Sequence, residues 1–146
     1  MVACGCFGHR ESFKNYEKEM MTTLENLILE NDNVVFMTGG MGQIDNLFSS
    51  TVRSLKRKYK NIRLLLVVPY LTNDLNKNKY YYVAMYDEIV IPDELIGVHY
   101  KAAIKQRNRW IVEHCDVIID CTYRDFGGAY TAIQYAKKAG KKVIKL

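Results

Sequence analysis

The chain has 146 residues, 49% of them hydrophobic and 25% charged, enough to bury a core as one globular domain over residues 1–146 without disulfides or metal. No apolar run approaches the roughly 20 residues that span a bilayer, and the N-terminus has neither a basic n-region nor a long h-region, so a membrane or secretory reading is excluded and a cytoplasmic location is expected. The net charge of +5 is concentrated in Arg53, Lys56, Arg57, Lys58 and Lys60 and in Lys137, Lys138, Lys141 and Lys142, where cations suit helix C-terminal ends; it reads first as a solvated basic face.

In chain order, Met1 to Phe7 is a short apolar run expected to form a buried strand, broken by Gly8-His9-Arg10. Ser12 is placed to cap a helix whose apolar positions Phe13, Tyr16, Met20, Leu24, Leu27 and Ile28 recur at three- and four-residue steps, ending at Asn31-Asp32-Asn33. Val34 to Met37 is a second buried strand that runs into Gly39, Gly40 and Gly42, and a helix follows from Gln43 to about Tyr59. Ile62 to Pro69 is so uniformly apolar that both of its faces must be covered, as in a parallel sheet. Tyr70 to Tyr86 has no clean period and is read as a short helix. Glu88 to Ile91 is a brief strand closed by Pro92-Asp93-Glu94, and His99 to His114 is an amphipathic helix. Asp116 to Cys121 is a strand, Gly127-Gly128 a second glycine turn, Tyr130 to Ala139 a helix and Lys142 to Ile144 a last strand.

This alternation predicts a Rossmann-like α/β fold, doubly wound, with a mainly parallel sheet of about five to six strands and helices on both faces. Ligands of such sheets bind beyond the carboxyl ends of the strands. Three polar clusters, Gly8 to Arg10, Gly39 to Asp45 and Arg124 to Thr131, all follow strands and so converge on that edge.

The first glycine loop would let backbone N–H groups approach an anion at a helix N-terminus. Gly40-Met41-Gly42-Gln43-Ile44-Asp45 nonetheless places Asp45 where a dinucleotide fingerprint has its third glycine, and no P-loop is present, which disfavours ordinary NAD enzymes and P-loop kinases. Gly127, Gly128 and Thr131 repeat the pattern of small residues and a hydroxyl at a helix start. Arg107 and Arg109 are two apart on a helix, so at most one is expected to enter a pocket. His9 and Arg10 could bind or polarise an anionic group, and Asp120 ends a strand on the open side. Cys4, Cys6, Cys115 and Cys121 include no C-x-x-C pair and read as buried reduced thiols, and no metal-ligand spacing or nucleophilic triad is present.

Cys-Gly-Cys-Phe-Gly-His-Arg, Thr-Gly-Gly-Met-Gly-Gln-Ile-Asp, Arg-Asn-Arg-Trp-Ile-Val-Glu-His-Cys-Asp-Val-Ile-Ile-Asp and Gly-Gly-Ala-Tyr-Thr-Ala-Ile-Gln-Tyr-Ala together resemble the YpsA-like branch of the SLOG superfamily. The resemblance implies a Rossmann-like fold that binds nucleotides or nucleotide-derived signals, ADP-ribose-like molecules included, and makes a homodimer plausible. A related SLOG branch, the cytokinin-activating phosphoribohydrolases, carries an Arg-Lys pair and Pro-Gly-Gly-x-Gly-Thr-x-x-Glu. Here those positions hold Arg107-Asn108 and Phe126-Gly127-Gly128-Ala129-Tyr130-Thr131-Ala132-Ile133-Gln134. A glutamate that aids hydrolysis there is Gln134 here, and a neutral amide neither acts as a base nor stabilises an oxocarbenium-like charge.

The expected function is therefore binding of a nucleoside phosphate or ADP-ribose-like metabolite, with no cofactor required. The expected ligand-binding set is Gly8, His9, Arg10, Gly39, Gly40, Met41, Gly42, Asp45, Arg107, Arg109, Gly127, Gly128, Thr131 and Gln134. The alternative is an N-glycosidic-bond-cleaving hydrolase or transferase using Asp45, Asp120 or His9. A single-stranded nucleic-acid-binding module is a third reading, but nucleic acid is not expected as a partner because no long basic and aromatic track runs along the sequence.

Overall fold

A computed structural model describes residues 1–146. Six strands, β1 (Val2–Gly8), β2 (Val34–Thr38), β3 (Ile62–Val67), β4 (Glu88–Val90), β5 (Val117–Cys121) and β6 (Lys142–Lys145), form one sheet in the order β4-β3-β2-β1-β5-β6. Every pairing is parallel. Between the strands run α1 (Glu17–Leu29), α2 (Gln43–Lys56), α3 (Asn73–Lys77), α4 (Lys79–Met85), α5 (Tyr100–His114) and α6 (Gly128–Lys138).

Side-chain alternation along β1 explains the layering. Cys4 and Cys6 point to one side, where α1 and α2 bury Met20, Leu24, Ile28, Phe48 and Val52 against Phe36, Leu64 and Ile119. Ala3 and Phe7 point to the other, where α5 and α6 bury Ile111, Val112, Ile133 and Ala136 against Leu65, Val67 and Ile118. Both faces of the central strands are thus covered, which is why their sequences are continuously apolar. All four cysteines are buried free thiols, and no helix is long and apolar enough to cross a membrane.

Two local expectations are corrected. The first helix begins at Glu17, not after Ser12, and Phe13 is 86% exposed. The segment before α1 is drawn across to the start of α2 instead: the Ser12 N–H donates to Gln43 Oε1 at 2.7 Å, and the Gln43 N–H donates to the Arg10 carbonyl at 2.8 Å. The Tyr70 to Tyr86 segment holds two short helices, α3 and α4, rather than one. Thr72 caps α3 by accepting the Leu75 N–H at 3.1 Å, and Asn78 stands at the break between them.

The connection after β1 leads to β2 on one side, whereas α5 carries the chain back across to β5 on the other. The crevice between the carboxyl ends of β1 and β5 is the switch point of the sheet, where a doubly wound fold opens a binding space.

Candidate functional site

A crevice of about 390 Å³ lies at this switch point, lined by Phe7, Gly8, His9, Arg10, Gly39, Met41, Asp45, Ile104, Arg107, Asn108, Arg124, Gly128 and Ala129. The loops after β1, β2 and β5 and one face of α5 therefore meet there.

The first glycine loop is largely tied up internally, leaving the Ile44 and Asp45 N–H groups at the uncapped start of α2 without a partner. Asp45 Oδ2 accepts the Met41 N–H at 2.9 Å, Thr38 Oγ1 accepts the Gly40 N–H at 3.2 Å, and the Gln43 N–H is bound by the loop after β1. Its glycines serve close packing. A Cβ on Gly42, whose φ is +92°, would stand 2.7 Å from Arg10 Cα, and one on Gly8 would stand 2.5 Å from the Ile44 side chain. Gly40 and Gly42 consequently do not line the crevice, and Asp45 serves as the internal acceptor of the loop. Burial raises the Asp45 pKa to about 6, opposed by the Met41 N–H and by Arg107.

Arg107 is the buried member of the arginine pair, as its helical spacing requires. Its Nη1 donates to the carbonyls of Val67 at 2.9 Å and Gly39 at 3.3 Å, and Nε donates to Asn108 Oδ1 at 2.9 Å. Burial lowers its pKa while Asp45 opposes the shift. The guanidinium is the floor of the crevice rather than a free cation. Arg109 points away, 4.5 Å from the Tyr135 ring centroid, into a neighbouring groove.

His9 is buried, and its Nε2 accepts the backbone N–H groups of both Tyr123 and Arg124 at 3.1 Å. That geometry requires an unprotonated Nε2 and leaves Nδ1 as the protonated nitrogen. Burial, then Arg124 and Lys145, lower its pKa, against Asp120. His9 therefore staples the β5–α6 loop to the β1 loop. Asp120 is similarly engaged: Oδ1 accepts the Thr122 N–H at 2.8 Å and its hydroxyl at 2.6 Å, beside Lys145 Nζ at 3.5 Å. It faces a separate hollow behind the β5–α6 loop.

The second glycine loop differs from the first in the open space above its donors. Gly127, with φ +97°, precedes α6 without any side-chain cap. The helix starts at Gly128, two residues before the expected Tyr130, and the N–H groups of Gly128, Ala129 and Tyr130 have no partner in the chain. A Cβ on Gly128 would meet nothing within 4 Å. Free donors at a helix start, open space above them, and the exposed cations Arg10 and Arg124 on the same crevice make an anion-binding arrangement. Arg124 opens the third polar cluster of the sequence but only folding distinguishes it, by setting it on the crevice wall. Thr131 donates its hydroxyl back to the Gly127 carbonyl at 3.0 Å, and with Gln134 it lies outside the crevice.

Thr131, Gln134 and Arg109 line a groove of about 550 Å³ between α5 and α6, together with Lys101, Lys105 and Lys138. None of its four cations forms an ion pair. Ile104, Asn108 and Gly128 belong to both spaces, so the groove continues from the crevice. The sequence expectation against nucleic acid rested on the lack of a long basic and aromatic track; the fold gathers four cations from two helices into one groove.

Strand order and crevice define a Rossmann-like α/β protein with an anion-suited switch point, the fold that the SLOG resemblance implied. Among solved structures the chain is similar to DNA processing protein A (DprA) from Streptococcus pneumoniae, with a TM-score of 0.70 and 17% identity, covering 99% of this chain and 50% of that one. It is also similar to DNA processing protein A from Helicobacter pylori, described for its unique single-stranded DNA binding mode (TM-score 0.69, 15% identity, 99% and 64% coverage). A third likeness is to the structural-genomics target TM1055 (TM-score 0.61, 15% identity, 98% and 72% coverage). The chain thus spans half to about two thirds of the two DNA processing proteins, and at these identities the likeness concerns the fold. In sequence it is 25% identical over 135 residues to the uncharacterized SPbeta prophage-derived protein YoqJ of Bacillus subtilis (strain 168), covering 82% of this chain and 79% of that protein. No family model matches the chain.

Proposed function

We propose that the crevice binds a nucleotide or nucleotide-derived metabolite, with a phosphate on the free N–H groups of Gly128, Ala129 and Tyr130 and with Arg10 and Arg124 as its cations. The observation that carries this reading is the uncapped start of α6 opening onto a crevice with two exposed arginines. Gly8, Gly39, Met41 and Arg107 shape the floor, and the carboxyl of Asp45, its pKa raised to about 6, is about half protonated near pH 6. Titration with AMP, ADP-ribose and NAD, followed by thermal unfolding, tests it: stabilisation should grow with ligand concentration. No shift with any of the three would remove the reading.

A second reading is a single nucleic-acid strand, favoured by the α5/α6 groove with its four unpaired cations and its continuity with the crevice. One fold neighbour is described for binding single-stranded DNA. Binding of an oligodeoxynucleotide that weakens steeply with salt, and that Lys105→Ala with Lys138→Ala abolishes, supports it; salt-independent or absent binding excludes it. For N-glycosidic cleavage, Asp45 has the raised pKa of a proton-transfer group, but its Oδ2 is held by Met41, and His9 Nε2 and Asp120 are engaged in turns. Release of base from a bound nucleotide on long incubation, lost in Asp45→Asn, is the result that reading requires.

A further inference from the structure

Four planar side chains cluster on the loops that follow β1 and β5, and one of them, Arg124, lines the crevice. Phe13 and Tyr123 have ring centroids 4.7 Å apart, and the Arg124 guanidinium stands 5.2 Å from the Tyr123 centroid and 5.9 Å from that of Phe126. The cluster ends in open aromatic surface on both sides, since Phe13 is 86% and Phe126 64% exposed. Neither ring belongs to the two apolar cores. Both sit in loops bordering the space that holds the unpartnered donors, and Phe126 immediately precedes Gly127 and Gly128.

We infer that this cluster is a stacking platform for a nucleobase, with Phe126 as the face that receives it while the phosphate rests on the start of α6. Exposed phenylalanine rings gain little from packing within the chain, whereas an aromatic base removes their surface from water and stacks on them. Arg124 serves both halves of such a ligand: its guanidinium stands beside the Phe126 ring, and it lines the crevice where a phosphate would sit. A sugar phosphate without a base satisfies only the α6 donors and the two arginines. The platform therefore selects base-bearing phosphates over other phosphorylated metabolites of similar charge.

This inference rests on the reading of the crevice as a phosphate site, and the two are separated by comparing AMP with ribose 5-phosphate, which lacks only the base. Calorimetric titration of the wild-type chain should give AMP an affinity about tenfold or more above that of ribose 5-phosphate, the scale of one base stacked on one aromatic ring. In Phe126→Ala that ratio should fall toward one while ribose 5-phosphate binding is unchanged, and Phe126→Tyr should restore it. Phe126 is a surface residue, so all three proteins should melt at the same temperature, which can be checked alongside. Equal binding of the two ligands by the wild type, or a ratio that survives Phe126→Ala, overturns the platform and leaves the phosphate site standing. Failure of both ligands to bind removes the phosphate site, and the platform with it.

Discussion

Arg107 lies directly beneath Gly39. Its Nη1 holds the Gly39 carbonyl at 3.3 Å, and a Cβ on Gly39 would stand 2.7 Å from the centre of the guanidinium. The glycine is there because a buried cation fills the place of a side chain. Gly39→Ala must displace that cation or the loop, and overpacking of this kind costs about 1–3 kcal/mol. The substitution should lower the urea midpoint clearly, and an unchanged midpoint would mean that the guanidinium shifts freely.

Gly128 should behave in the opposite way. A methyl group there meets open space, and its φ is not in the left-handed region. Gly128→Ala should leave stability within about 0.5 kcal/mol, but it places a methyl group where the phosphate would rest. Loss of AMP binding without loss of stability is expected, measured by calorimetry and urea unfolding on the same sample.

His9 is predicted to control the acid side of the stability profile. Its folded pKa is lowered, so the unfolded chain takes up the proton first, and the stability of neutral His9 is present above the unfolded pKa near 6.5 and lost as pH falls below it. His9→Ala should remove this loss but leave the Tyr123 and Arg124 N–H groups without an acceptor, at about 1–3 kcal/mol. Amide exchange at those two residues should speed up in the variant, while β2 and β3 change only with global stability.

Asp45 has the opposite sign. Its folded pKa is raised from 3.8 to about 6, so its neutral form contributes stability fully below pH 3.8 and loses it as pH rises through about 6, a difference on the order of 3 kcal/mol. The slopes of Asp45 and His9 partly cancel in the wild type, and Asp45→Asn should expose that of His9. Ionised Asp45 also repels an anion in the crevice. ADP-ribose, whose pyrophosphate does not titrate in this range, should bind more tightly at pH 5 than at pH 7.5, and Asp45→Asn should flatten that dependence.

Arg124→Ala should weaken AMP binding by about tenfold, the order expected for one charge-assisted contact, and should reduce its salt dependence. Arg109→Ala should leave AMP binding unaltered, because its guanidinium lies against Tyr135 in the adjoining groove.

The sheet was legible because each buried strand is short, apolar and bounded by glycine or polar turns, and because helical spacing places Met20, Leu24, Phe48 and Val52 on single faces. The start of α1 was not legible. Ser12 has the right chemistry for a cap, but its N–H is taken by Gln43, a residue 31 positions away. The first glycine loop and its crevice position could be read from the sequence, yet its donors could not be known to be occupied, since Asp45 and Met41 meet only once the turn closes. Arg124 and Asn108 stand out in the sequence only as the start of a polar cluster and the neighbour of Arg107, because their value lies in which wall of the crevice they face. The α5/α6 groove was invisible because Lys101, Lys105 and Lys138 come from helices that pack together only in the fold.

The four thiols give the interior a chemical clock. Burial pushes the Cys4 and Cys6 thiols well above their usual range and Cys115 up to about 12, and Cys121 is equally inaccessible. Cys4, Cys6 and Cys121 sit on β1 and β5, the two strands that frame the crevice. An alkylating reagent can reach them only when α1 and α2 lift from that face of the sheet, so the rate of thiol capture reports how often this layer opens. A ligand seated across β1 and β5 would slow that rate without touching a single sulfur.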